Sequence, residues 1–200
     1  MKLSLPGIQF HLLPHQQHVL KNIEIFDTID STNTYLLRYL HATEMMPRIC
    51  LAEMQIHGRG RGDHVWHSPE SQNIYLSLLW KFPECIVDFH GLSELVGKKV
   101  IDVIKTLSLS QQPQLKLPND IYVSGKKLAG ILIESKGRYP KEMPVVLGLG
   151  LNVDWPMTHD DWISLKAVSE TDISRNYLAA KLIGALMETA EQFGLMAQSR

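Results

Sequence analysis

The sequence predicts an α+β fold, on three observations. Leu92, Leu95, Val96, Val100, Val103, Ile104 and Leu107, and again Ile173, Tyr177, Leu178, Leu182, Leu186, Ala190 and Phe193, recur at helical spacing. Asn73 to Trp80 alternates, with Ile74, Leu76, Leu78 and Trp80 on one face, as a half-buried strand does. Apolar runs at 48–52, 128–134 and 145–153 are strand-length, and Ser124-Gly125 is a two-residue hairpin signal. Helical and strand periods are therefore interleaved along one chain.

The bulk numbers bound what such a fold does. Two hundred residues suit one domain with a sizeable core. With 44% apolar and 20% charged residues, the composition is that of a soluble globular protein, not a disordered one. A net charge of −1 supplies no basic field for nucleic acid or anionic membrane, so any anion site is local. Cys50 and Cys85 form no CxxC pair, which argues against a disulfide framework or a zinc site and for a reducing compartment. No signal-peptide pattern or apolar run of roughly 20 residues appears, so a cytoplasmic location without membrane contact is expected.

Residues 1–22 read as an irregular, loosely packed N-terminal arm. His11, His15 and His18 lie within it, but Pro14 breaks any helix that would align them for a metal. Ile23 to Phe26 is a short strand. Asp30-Ser31-Thr32-Asn33 then offers four N-capping residues before an apolar helical stretch. Capping accounts for one of the four; the others leave hydroxyl and amide groups at a helix N-terminus. Arg48 to Ala52 is a buried strand, and the next strand begins only at Asn73. A gap of that length without structure of its own points to a functional loop.

Within that gap, Gly58-Arg59-Gly60-Arg61-Gly62 holds three glycines and two arginines in five residues. Glycine lets the backbone approach a ligand, and arginine brings a fork of donors suited to phosphate or carboxylate. Both an anion-holding loop and a solvated surface turn fit this stretch taken alone. Beyond the helix at 92–107, whose Lys98 and Lys99 read as solvated, Leu115 to Val123 is a pair of short strands around a Pro118-Asn119-Asp120 turn. Lys126 and Lys127 lead into the strand at 128–134, and Ser135 to Met143 is a polar connector. Gly148 and Gly150 share one face of the strand at 145–153, which suggests close approach of a ligand or another backbone.

Six motifs line up in one order: Asp30-Ser31-Thr32-Asn33; Gln55…Gly58-Arg59-Gly60-Arg61…Trp66…Ser68-Pro69; Asn73-Ile74-Tyr75-Leu76-Ser77; Lys116-Leu117-Pro118-Asn119-Asp120; Lys126-Lys127-Leu128-Ala129-Gly130-Ile131-Leu132-Ile133-Glu134; and Gly148-Leu149-Gly150-Leu151-Asn152-Val153. Each alone is weak. Together they resemble the catalytic domain of biotin protein ligases, from about residue 23 to the end. The resemblance implies a 1–22 arm before a 23–200 catalytic domain. It also implies the sheet order: a mixed, largely antiparallel sheet with helices mainly on one face, like class II synthetases.

For chemistry the resemblance implies a two-step ligase that makes biotinoyl-5′-AMP from biotin and ATP, then transfers biotin to a lysine of a biotin carboxyl carrier protein such as that of acetyl-CoA carboxylase. Arg59 and Arg61, with Gly58 and Gly60, would hold phosphates and close over the adenylate. Lys127 would neutralise charge between the biotin carboxylate and the α-phosphate, so Lys127, Arg59 and Arg61 are the expected catalytic cations. Ser31, Thr32, Asn33 and Gln55 would hydrogen-bond the uncharged polar head of biotin. Trp66 would wall the bicyclic ring or adenine; ordinary burial explains it nearly as well. Lys116, Asn119, Asp120 and Asn152 would serve ATP, with Asn119 and Asp120 beside Mg²⁺. Pro-Asn-Asp is also good turn chemistry by itself.

The sequence departs from the family in places. Gly62-Asp63-His64-Val65 stands where more arginine is usual, which predicts weaker retention of the adenylate, and Leu117 replaces a tryptophan. No N-terminal DNA-binding domain is expected, hence no repressor role and no nucleic-acid partner. Nor is a C-terminal β-barrel domain expected, which implies lower activity or reliance on a homodimer. Two other readings stay open: a lipoate or octanoate ligase or transferase of the same fold, and a nucleic-acid module using the Gly/Arg run. The −1 charge and the lack of a basic stripe count against the second. The loop at 56–72 is expected to order on ligand binding.

Overall fold

Seven strands form one sheet among the described residues of a computed structural model of the chain, which describes residues 2–41, 47–83, 89, 91–137, 142–155 and 160–198. They are β1 (Ile23–Ile29), β2 (Arg48–Gln55), β3 (Ile74–Pro83), β4 (Gln114–Lys116), β5 (Asp120–Val123), β6 (Lys126–Glu134) and β7 (Glu142–Leu151). Their spatial order is β1-β2-β3-β7-β6-β5-β4. Only β1 and β2 run parallel; every other neighbouring pair is antiparallel. The expected mixed, largely antiparallel sheet is the observed one. Cys85 and part of the 135–143 connector lie outside the described residues.

Among the described residues four α-helices join it: α1 (Leu5–His11), α2 (Thr32–Leu37), α3 (Leu92–Ile104) and α4 (Arg175–Gln198). Apolar faces of α3 and α4 meet alternate residues of the central strands, including Leu51, Leu76, Leu78, Leu147 and Leu149. On the other face α2, through Leu36, and Leu40 just beyond it pack against Cys50, Leu79 and Val146. Helices are therefore mainly on one face. The expectation of a half-buried β3 needs correcting, because α2 covers its second side and leaves Tyr75, Ser77 and Leu79 buried as well.

The first 22 residues are not a loose arm. Helix α1 and a 3-10 helix over Pro14–Asn22 bury Leu3, Ile8, Leu12 and Val19 in the main core. Pro14 does interrupt the helix, which stops at His11. The buried carboxylate of Glu53 on β2 then fastens three parts of the chain. It accepts from Leu3 N at 2.5 Å and from Arg175 Nη2 at 2.8 Å, while Arg175 also donates to Asn73 O. Arg175 and Glu53 are 6% and 1% exposed at the side chain, so each charge depends on the other for its solvation.

Candidate functional site

Where β6 and β7 run beside α2, the loop after β2 folds over the sheet and encloses a cavity of about 800 Å³. That is in the usual size range for a small-molecule site. The loop is a hairpin-like turn held by its own backbone. Trp66 N donates to Gly58 O at 2.9 Å, Gly60 N to His64 O at 2.7 Å, and Arg59 bridges Val65. Gly62, at φ 63°, occupies the left-handed position that turns the chain, and His64 Nδ1 lies 2.9 Å from Arg61 O. The Gly62-Asp63-His64-Val65 departure thus builds the tip of this turn.

Part of the cavity lining is polar and uncharged. Ser31 caps α2, which places Thr32 and Asn33 in its first turn, and all three are buried. Gln55 Oε1 accepts from Thr32 N at 2.9 Å, and Gln55 Nε2 donates to Ser68 Oγ at 2.9 Å, which donates to Trp66 O. Asn33 donates to Leu132 O and to Glu134 Oε2, while Ser77 Oγ lies 2.5 Å from Asn33 Oδ1 and 2.7 Å from Thr32 Oγ1. The network fixes each side chain in one orientation and leaves the second lone pair of Asn33 Oδ1 and one N–H of Gln55 for a ligand.

The lining also carries cations. Lys127 Nζ sits 2.8 Å from Asp120 Oδ1 and 5.5 Å from the centre of the Trp66 ring. Arg59 is paired end-on with Glu134, at 2.8 and 2.6 Å. Arg61 lines the cavity with no acidic partner among the described residues. An anion entering here meets one unpaired guanidinium and two cations already held in place.

Two glycines shape the wall. A Cβ on Gly150 would stand 2.5 Å from Trp66 Nε1, and one on Gly148 would stand 2.8 Å from Asn33 Cγ. The expectation of close approach at Gly148 and Gly150 is met by side chains of the protein itself, not by a ligand or backbone. Gly130, paired with Gly150 across the strands, lies under the same indole.

Of the expected site residues, the fold gathers Ser31, Thr32, Asn33, Gln55, Arg59 and Gly60 around this cavity. Arg61, Trp66, Asn119, Asp120 and Lys127 line it too. Three do not. Gly58 lies inside the loop, where a Cβ would stand 2.7 Å from Ser68 Oγ, so its role is to let the loop close on itself. Lys116 sits on the edge strand β4 with its ammonium 4.5 Å from the Tyr122 ring centre, since strand alternation turns it away from the cavity. Asn152 belongs to a neighbouring cleft formed with Trp66, His67, Trp155 and Trp162. Its Nδ2 donates to Ile163 O, and its buried Oδ1 has no hydrogen-bond partner among the described residues.

Residue reasoning missed Glu134, Ser77, Ser68 and Trp162. The first three stand inside or beside motifs already noted, but nothing in their spacing tells which residue across the sheet they meet. Trp162 comes beside Lys127 only because the chain after β7 returns to pair with it.

The cavity lining, part uncharged and polar and part cationic, suits a small molecule that carries both uncharged polar groups and an anionic one. Residues 25–152 match the biotin/lipoate A/B protein ligase family, and the chain belongs to that family. It is similar to the bifunctional ligase/repressor BirA of Salmonella typhimurium, 36% identical over 189 residues, covering 90% of this chain and 58% of that protein. The biotin–[acetyl-CoA-carboxylase] ligase of Mycobacterium tuberculosis is 33% identical over 172 residues, covering 83% and 63%. Among solved structures, the biotin protein ligase of Aquifex aeolicus in complex with biotin and ATP superposes with a TM-score of 0.73 at 25% identity, covering 87% of this chain and 72% of that one. The chain thus spans less than two thirds of the length of these two sequence relatives.

Proposed function

We propose that this chain activates biotin with ATP and transfers it to a lysine of a biotin carboxyl carrier protein. The observation that carries the reading is one cavity lined both by uncharged polar groups, Thr32, Asn33 and Gln55, and by the cations Arg61, Arg59 and Lys127. Biotin has that polarity: an uncharged ureido head and a carboxylate tail. The relatives named as biotin ligases, and the Aquifex aeolicus structure holding biotin and ATP, support the same substrates.

In the first step a biotin carboxylate oxygen attacks the α-phosphorus, the bond to the bridging oxygen breaks and pyrophosphate leaves. Two anions must meet, and Lys127 and Arg61 offset their repulsion and the charge developing on the phosphoryl oxygens. In the second, a neutral lysine amine of the carrier attacks the acyl carbon, AMP leaves and the amine loses a proton. Trp66 walls the site, and its buried indole N–H has no partner among the described residues, so a ligand oxygen can take it.

Adenine would fit beside Asn152, whose unpartnered Oδ1 accepts from an exocyclic amine, between the rings of His67, Trp155 and Trp162. That cleft holds about 10 Å³ here, so a purine enters only as a tryptophan moves. Asn119 and Asp120 suit Mg²⁺ in the manner of nucleotide sites, with one carboxylate, one amide oxygen and phosphates. Asn119 Nδ2 donates to Ile131 O, which leaves its amide oxygen for the ion. Bound Mg²⁺ would supply further neutralisation of the phosphates.

No helix among the described residues is long and apolar enough to cross a membrane, and a cytoplasmic location is part of this proposal. Purified protein should catalyse ATP–pyrophosphate exchange that depends on biotin and label a carrier domain with it. Exchange driven by lipoate in place of biotin would reverse the assignment.

A further inference from the structure

We infer that Glu134 is a positioning residue for the anion-binding loop: its carboxylate sets the orientation of Arg59. The inference rests on the function proposed above. Glu134 is the last residue of β6, so its backbone is fixed by the sheet, in register with Val146 of β7. Its two oxygens accept from the two terminal nitrogens of Arg59 at 2.8 and 2.6 Å. Asn33, buried in α2, donates to the same carboxylate at 2.9 Å and is itself tied to Leu132 O. The acid is therefore held from the sheet side before it holds the loop.

A carboxylate within reach of an anion site weakens that site by its charge, so its presence there needs an account. Planar guanidinium carries five N–H donors, and end-on pairing uses two, leaving three for an anion. Bidentate pairing also removes rotation of a long side chain on a loop rich in glycine. Arg59 lines the cavity and Glu134 does not, which puts the acid behind the arginine. Arg61, two residues on, has no acidic partner among the described residues. The loop thus presents one arginine of fixed direction and one free to follow the ligand.

An ordinary ion pair at an exposed loop contributes little to stability and nothing to turnover. The two roles separate in a double-mutant cycle read in biotin-dependent ATP–pyrophosphate exchange. Glu134→Ala should lower kcat/KM for ATP about tenfold, the equivalent of one charge-assisted hydrogen bond. In an Arg59→Ala background the same change should have no further effect. Wild-type kcat/KM in Glu134→Ala, or equal losses in both backgrounds, would overturn the inference.

A second measurement does not depend on activity, so it holds even if biotin proves the wrong substrate. Trypsin must take the arginine side chain into its own pocket, and pairing with Glu134 withholds it. Native protein should be cut after Arg61 in preference to Arg59, and Glu134→Ala should raise cleavage after Arg59 alone. Unchanged cleavage after Arg59 overturns the pairing itself. Loss of exchange in the wild type with the trypsin pattern intact sinks only the biotin reading.

Discussion

The indole of Trp66 rests against Gly150, in the space any side chain at that position would need: a Cβ would stand 2.5 Å from Nε1. This contact joins the loop after β2 to the middle of the sheet. Gly150→Ala should therefore push Trp66 out of the cavity wall. Overpacking of this kind costs about 1–3 kcal/mol. Urea denaturation should show that loss, and calorimetry should show weaker biotin binding; a variant with native affinity would mean that Trp66 does not wall the ligand.

Lys127 and Arg61 differ in what they hold without ligand. Arg61 has no acidic partner among the described residues, so Arg61→Ala should leave stability within about 0.5 kcal/mol of native. Lys127→Ala leaves Asp120 without its ion pair. Both should cut adenylation about 100-fold or more, as expected for loss of a group that stabilises transition-state charge. Normal exchange in either variant removes that residue from the catalytic assignment.

Arg175 tests the fold, not the site. Its guanidinium is buried with Glu53 and also donates to Asn73 O. Arg175→Met strands a buried carboxylate and should destabilise the protein by about 3–5 kcal/mol. The Glu53→Gln, Arg175→Met double variant should recover much of this, because neither charge is then left alone. A double variant no better than the single would show that shape, not charge, dominates there.

Alkaline pH should loosen the fold. Burial raises the Cys50 thiol above its ordinary value of 9.0. Burial likewise raises the Tyr35 and Tyr75 hydroxyls above 10.0, Tyr35 further through its bond to Glu24. Each group keeps its proton in the native state and loses it in the unfolded one as pH passes the ordinary value. Unfolding then releases protons, so the stability present below about pH 9 declines as pH rises beyond it. Thermal melts from pH 7 to 11 should show the midpoint falling from about pH 9 upward; a flat profile would contradict the burial of these groups.

The segment of 17 residues at 56–72 shows where reading the chain succeeds and where it stops. Its Gly/Arg content fits an anion loop and a surface turn alike, and only its place between two buried strands favours a functional loop. Nothing in the run says that Arg59 will meet Glu134, because the two are 75 positions apart and come together only when β6 is laid beside β7. Asn152 is another such case. Its position in a strand-end motif points to the nucleotide, but only the return of the chain to Trp162 builds the cleft in which it stands.

The N-terminal residues err in the opposite direction. Histidines, glutamines and prolines read as a loose arm, yet Leu3, Ile8, Leu12 and Val19 are core. These four lie among other apolar residues in a stretch broken by Pro6 and Pro14, so only the groove filled against α4 reveals which are buried.

By itself the sequence determined the strands and the two long helices beyond residue 23 and, through the order of six motifs, the family that the chain resembles. The element types are properties of local spacing, which is what helical and strand periods encode. Tertiary structure decided the pairings: Trp66 on Gly150, Arg59 with Glu134, Lys127 with Asp120 and Arg175 with Glu53. Each joins elements distant in sequence or separated by a turn, and its existence depends on sheet order and register, which no single segment contains.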